Sequence, residues 1–212
     1  MGIWQLLRHP RGYERYFRTS SMVLLVALVF GVIFGATMVS YLDFHQQQEL
    51  QAGLNYYLQL TDQGGEISRA RIAANSLNTN GLSILYITLG GLAVVGLPFI
   101  WAFLFFRGMV LGFTVGWLVR ELAWKGLAFS LLTLFPFSAL LLPLMIFSGA
   151  QAMSFSWLII IKVFGGGDRT PPPILGFLLL QGAAFLGVFL LALLEALAMP
   201  WLLGMIIPWV QG

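Results

Sequence analysis

Hydrophobic and polar positions fall along this chain in long blocks. The first apolar block runs from Ser20 to Leu42, SSMVLLVALVFGVIFGATMVSYL. As a helix rising ~1.5 Å per residue it covers the ~30 Å hydrocarbon core of a bilayer. It is longer than the ~7–15-residue core of a cleavable leader and lacks a small-residue cleavage pattern, so it reads as a retained first span. Asp43 to Asn80 is the one long polar block. Within it Leu50, Leu54, Tyr57 and Leu58 recur at helical spacing, which predicts an amphipathic helix ended by Gly64-Gly65. Glu66 to Leu77 predicts a second helical stretch that leads into the next span.

The second apolar block, Gly81 to Phe106, contains Pro98 and stops at Arg107. Twelve uncharged residues follow, Gly108 to Val119, and then Arg120, Glu121 and Lys125. Two arrangements compete. In one, a span ends at Phe106 and residues 108–119 make a re-entrant half-helix, which puts Arg120 and Lys125 in the cytoplasm. In the other, Pro98 marks a turn and residues 99–119 cross fully, with Arg107 near mid-membrane. The bias of Lys and Arg toward the cytoplasm, and the cost of an arginine at the bilayer centre, about 2.5–3.5 kcal/mol, favour the first.

Leu127 to Ile161 carries Pro136, Pro143 and Gly149 and predicts a tight helical hairpin turning near Ser148 to Met153. GGGDRTPPP, Gly165 to Pro173, is a loop by composition. The last block, Ile174 to Val210, predicts a span to about Met199 and a short tail, because Pro200 and Pro208 interrupt it. The expected fold is all-α: a polytopic transmembrane bundle of about five spans plus a re-entrant half-helix. It forms a single transmembrane domain over residues 1–212, and the C-terminus lies outside.

Composition fixes the solvent. Apolar residues are 59% of the 212 and charged residues 9%, against roughly 25% charged in soluble domains. So few charges cannot cover a water-facing surface. The net charge of +3 is concentrated early, with Arg8, Arg11, Arg15 and Arg18 against the single acid Glu14. That is too sparse for a nucleic-acid arm and suits a cytoplasmic membrane-flanking arm over residues 1–19. Residues 43–80 are then an extracytoplasmic amphipathic loop. With no cysteine, disulfide and thiolate chemistry are excluded.

Small residues every four positions let helices approach closely in lipid, where hydrophobicity gives little drive to associate. Gly108, Gly112 and Gly116 make one such row, and Gly31 and Gly35 another. The rows read as packing surfaces, within one chain or at the seam of a homodimer. Arg107 either snorkels to the headgroups or pairs with Glu195, the one acid in the last apolar block. Glu195 falls near the outer face and Arg107, in the re-entrant arrangement, near the inner one, which separates them in depth.

Catalytic signatures are missing. His9 and His45 stand apart from other metal-binding side chains, and no H-E-x-x-H, G-x-S-x-G, P-loop or dinucleotide fingerprint occurs. The chain is therefore expected to be no enzyme and to carry neither cofactor nor metal.

Six stretches together resemble the stage II sporulation protein M family. They are GVIFGA (31–36), QQELQAGLNYYL (47–58), VVGLPFIWAFLFFRGMVLGFTVGWLV (94–119), LFPFSALLLP (134–143), AMSFS (152–156) and LLEALAMP (193–200). The resemblance implies a bacterial membrane component of the forespore engulfment complex, needed for septal thinning. Its implied partners are a lytic transglycosylase (protein D) and a wall amidase/endopeptidase (protein P). Some wider relatives carry ionisable residues in a Pro-His-Gly…Glu…Pro pattern. Here Pro136, Phe137, Ser138, Leu141 and Pro143 stand instead, so no ion or proton role transfers. Two functions follow as expectations. The first is a non-catalytic scaffold that docks wall hydrolases through Leu50, Leu54, Tyr57 and Leu58. The second is a permease-like or ATPase-coupled subunit built on half-helices.

Overall fold

A computed structural model describes residues 13–62, 69–93, 96–164 and 174–211, with side chains at 54–62, 162–164 and 206–211 outside the description. In hydrocarbon every backbone polar group must be satisfied within its own segment, so the apolar blocks become helices. They are α1 (Tyr13–Met38), extended by a 3-10 turn (Val39–Tyr41), α2 (Phe44–Asp62), α3 (Arg69–Leu92), α4 (Gly96–Thr133), α5 (Phe135–Phe164) and α6 (Ile174–Gln211). No strand occurs among the described residues. Four helices are long and apolar enough to cross a membrane: α1 with its extension, α4, α5 and α6. α3 runs beside them but carries Arg69, Arg71, Asn75, Asn78 and Asn80 and is not among the four.

Side-chain pairings fix the helix directions. Tyr16 of α1 meets Trp157 of α5, with ring centroids 6.2 Å apart. The end of α3 packs there too, Gly91 against Ala152 and Phe177. Phe155 stacks on Phe177 at 4.4 Å. This is the Arg15 end of the bundle. At the other end Val39, Trp117, Leu118, Phe129 and Leu203 form one buried cluster. Hence α1, α4 and α6 run from the Arg15 end to the Val39 end, and α3 and α5 run back. Between the two ends Leu24, Ile84, Ile87, Ile100, Leu104 and Met145 fill the core with almost no exposure. Met22, Leu25, Val29 and Ile33 of α1 face outward, a stripe suited to acyl chains.

The most extensive helix contact joins α1 and α4. They are parallel, with Leu28, Val32 and Ala36 set against Gly108, Gly112 and Gly116. Parallel neighbours need a crossover, which α3 supplies.

α2 covers the Val39 end. It begins with a side-chain cap. Asp43 Oδ1 accepts the Phe44 N–H at 2.9 Å, and Gln46 Oε1 accepts the Asp43 N–H at 3.1 Å, which satisfies two donors the helix start leaves open. Leu50 packs against the Val39–Leu203 cluster, and Gln51 Nε2 donates to Glu121 Oε1 at 2.6 Å.

Several expectations are corrected. The block 81–106 is not one span, because α3 ends at Leu92 and α4 begins at Gly96. Pro98 falls in the first turn of α4, where its missing N–H costs nothing. Residues 108–119 are not re-entrant. The helix passes unbroken through Arg107 and breaks at Ala123 (φ 49°, ψ −129°), a region strained for a residue with a Cβ, where a second helical segment turns back so closely that a Cβ on Gly126 would overlap the Leu118 carbonyl oxygen. The hairpin over 127–161 is absent: residues 148–153 lie inside α5. Pro136 stands at its start, Pro143 within it, and Gly149 is a close-packing position 2.9 Å from Leu24 Cδ1 for an added Cβ. α6 likewise continues through Pro200 and Pro208. Membrane helices tolerate such prolines because neighbours re-satisfy the freed carbonyls. Arg120 sits at the Val39 end, opposite Arg15, where its guanidinium donates to the Val39 carbonyl. The charge-bias rule counts cations per loop and does not see the open carbonyls at the end of α1, which give this arginine a local partner. The loop 165–173 and the Gly64-Gly65 break lie outside the described residues.

Candidate functional site

Two places gather polar groups on this apolar scaffold. The first is inside the bundle. Arg107 projects from α4 and donates through Nη2 to Asn80 Oδ1 of α3. Asn80 Nδ2 donates to Ser76 Oγ at 3.2 Å, one helical turn away, and Ser76 Oγ donates to Glu195 Oε2 of α6 at 2.5 Å. Ser76 and Asn80 are buried, while Arg107 and Glu195 are half-buried within the helix array. No direct ion pair joins Arg107 to Glu195. Two neutral side chains bridge a cation and an anion whose charges still attract each other. The line therefore ties α4, α3 and α6 together. Arg107 lies 11 residues into α4 and Asn80 12 residues from the end of α3, both ~17 Å from the Arg15 end. The depth separation expected between Arg107 and Glu195 assumed a re-entrant helix and goes with it.

A second buried polar seam lies between α5 and α6. Ser148 Oγ donates to Gln181 Oε1 at 2.6 Å, and Gln181 Nε2 donates to the Ser148 carbonyl at 3.0 Å. One turn on, Gln151 Oε1 is buried with no partner. Ser156 Oγ donates to the Gly91 carbonyl at 2.7 Å, closing the end of α3.

The second place is the Val39 end. There α2 presents Phe44, His45, Gln48 and Glu49 outward, His45 Nδ1 and Glu49 Oε1 lying 3.5 Å apart. Leu50, taken from the sequence as a docking side chain, is turned inward to seat the helix, so the free face is the opposite one. The side chains of Leu54, Tyr57 and Leu58 lie outside the description. Phe44, 71% exposed, is a surface aromatic that the apolar-stripe reading did not single out.

The glycine rows face each other within one chain. An added Cβ on Gly31 would overlap the Phe105 carbonyl oxygen, on Gly35 that of Met109, on Gly108 that of Leu28 and on Gly112 that of Val32. On Gly116 it would meet Ala36 Cα at 3.2 Å. Among the described residues no group of three or more His, Cys, Asp or Glu side chains lies together.

Ser76 and Asn80 fall in the block that reads as the hydrophilic insert, so the sequence alone does not mark them as site residues. The available signal was their spacing, one helical turn apart, directly before an apolar block. Arg120 and Gln51 carried no local signal at all.

A family model described as Stage II sporulation protein M matches residues 23–207. No curated protein and no solved structure matches the chain.

Proposed function

Because the chain belongs to the stage II sporulation protein M family, a family of membrane proteins, we propose that it is a non-catalytic membrane scaffold. In this reading it recruits and positions wall hydrolases, a lytic transglycosylase and an amidase/endopeptidase, during septal thinning and engulfment. The N-terminus is cytoplasmic, so the Val39 end and α2 face the wall. The supporting observation is α2 itself. It is capped, seated through Leu50 and Gln51, and presents an aromatic, polar and charged face beyond an otherwise lipid-suited bundle. An amphipathic helix seated on the end of the bundle suits protein docking, where a few aromatic and charged positions carry most of the affinity.

The test combines sidedness with capture. Since the chain has no cysteine, Gln48→Cys gives a single thiol, and an impermeant maleimide added outside intact cells is expected to label it. Labelling only after the membrane is opened rejects the orientation. Phe44→Ser with Glu49→Lys is expected to lower co-purification of the two hydrolases by about tenfold or more at normal membrane abundance. Wild-type capture by that variant rejects α2 as the docking helix.

A further inference from the structure

A groove of about 540 Å³ opens beside α1 at the Arg15 end, bounded by α1, the start of α4 and the end of α5. Its lining is graded. Arg15, Thr19 and Ser20 stand at the mouth, and Val23, Leu97 and Met153 form the floor. Tyr16 and Trp157 close one side as a ring pair 6.2 Å apart. An adjoining cleft of about 370 Å³ shares Arg15 and Thr19 and adds Arg18 and Glu14. Among the described residues neither Arg15 nor Arg18 has an ion pair, although Glu14 stands in the same cleft. Two exposed cations, two hydroxyls and two amphipathic rings thus sit above an apolar channel, in the order headgroup, interface, acyl chain. Tyr and Trp favour that interfacial level, and the cations suit an anionic leaflet.

We infer that this groove is a binding site for one anionic phospholipid. Its phosphate lies on Arg15 and Arg18 with the Thr19 and Ser20 hydroxyls, and one acyl chain runs over Val23, Leu97 and Met153. The occupant is a lipid and not a free phosphate ester, because the floor offers only apolar surface that a soluble ester leaves empty. The bound lipid wedges the start of α4 against α1 and α5, next to the parallel α1–α4 pair. This site is independent of the scaffold role and of α2.

The experiment is native mass spectrometry of the full chain in micelles doped with phosphatidylglycerol or phosphatidylcholine. Each arginine near an anionic surface changes affinity by roughly fivefold. The wild type is expected to retain one phosphatidylglycerol in clear preference to phosphatidylcholine. Arg15→Gln with Arg18→Gln is expected to weaken that retention by more than about tenfold. Val23→Phe, which fills the channel without changing charge on a lipid-facing position, is expected to lose the lipid as well. Four results each overturn the inference: equal retention of both lipids, unchanged retention in Arg15→Gln/Arg18→Gln or in Val23→Phe, an equal loss in Arg8→Gln/Arg11→Gln, or displacement by soluble glycerol phosphate at equal concentration. The third reports a diffuse effect of the basic arm, and the fourth a simple phosphate site.

Discussion

Gly112→Leu is expected to cost about 3 kcal/mol or more, among the most damaging single substitutions in the α1–α4 seam. Overpacking a well-filled site usually costs about 1–3 kcal/mol, because side chains can rotate away. Here the obstacle is backbone. The Cβ alone overlaps the Val32 carbonyl oxygen and lies 2.7 Å from its carbonyl carbon. No rotamer change relieves that, so α1 and α4 must part. Parting them gives up the largest helix contact in the protein, and lipid offers no hydrophobic compensation. Even Gly112→Ala is expected to lower the thermal midpoint in detergent. Gly182→Ala is the matched control, since a Cβ there has nothing within 4 Å. It should leave the midpoint unchanged or raise it slightly, alanine being the better helix former by about 1 kcal/mol. Equal midpoints for Gly112→Ala and Gly182→Ala would falsify the parallel α1–α4 packing.

Glu195→Leu is expected to destabilise by about 3 kcal/mol, because it leaves Arg107 without its counter-charge and Ser76 without its acceptor among the helices. The damage belongs to the uncompensated cation rather than to the lost bond. Removing both charges, Glu195→Leu with Arg107→Met, should therefore recover more than half of the loss. A double-mutant cycle measured by thermal unfolding in detergent reads the coupling, expected at about 2–3 kcal/mol even though the two groups do not touch. Asn80→Leu in the wild-type background should weaken the same coupling, because Asn80 carries the line from α4 into α3. Strictly additive single effects would show that Arg107 and Glu195 act separately, with Arg107 merely reaching toward the headgroups.

Much of the fold was legible because it rests on averages over many residues. A charged fraction of 9% names the solvent whatever the helix order. Hydrocarbon then forces every long apolar block into helix. The amphipathic helix after Asp43 was readable because Leu50, Leu54, Tyr57 and Leu58 recur at helical spacing, whereas its cap, Asp43 Oδ1 on the Phe44 N–H and Gln46 Oε1 on the Asp43 N–H, came only with the structure. The boundaries were less legible. Pro98, Pro136, Pro143 and Pro200 each suggest an interruption in one dimension. Yet two of them sit in a first helical turn, and two are carried inside helices whose neighbours absorb the lost bond. A proline reports a missing donor, and only the surroundings say whether that donor was needed.

By itself, then, the sequence determined a lipid-solvated, all-helical chain with two glycine rows, an amphipathic helix and one arginine embedded among apolar residues. Tertiary structure alone decided what each of these meets. Glycine spacing specifies that something approaches closely, but the register of α1 on α4 selects Val32 for Gly112. Arg107 finds Asn80 from 27 positions away, and Ser76 finds Glu195 from 119. Such pairings depend on helix order, direction and depth, which are set by the packing of the whole bundle and leave no trace in any local window of residues.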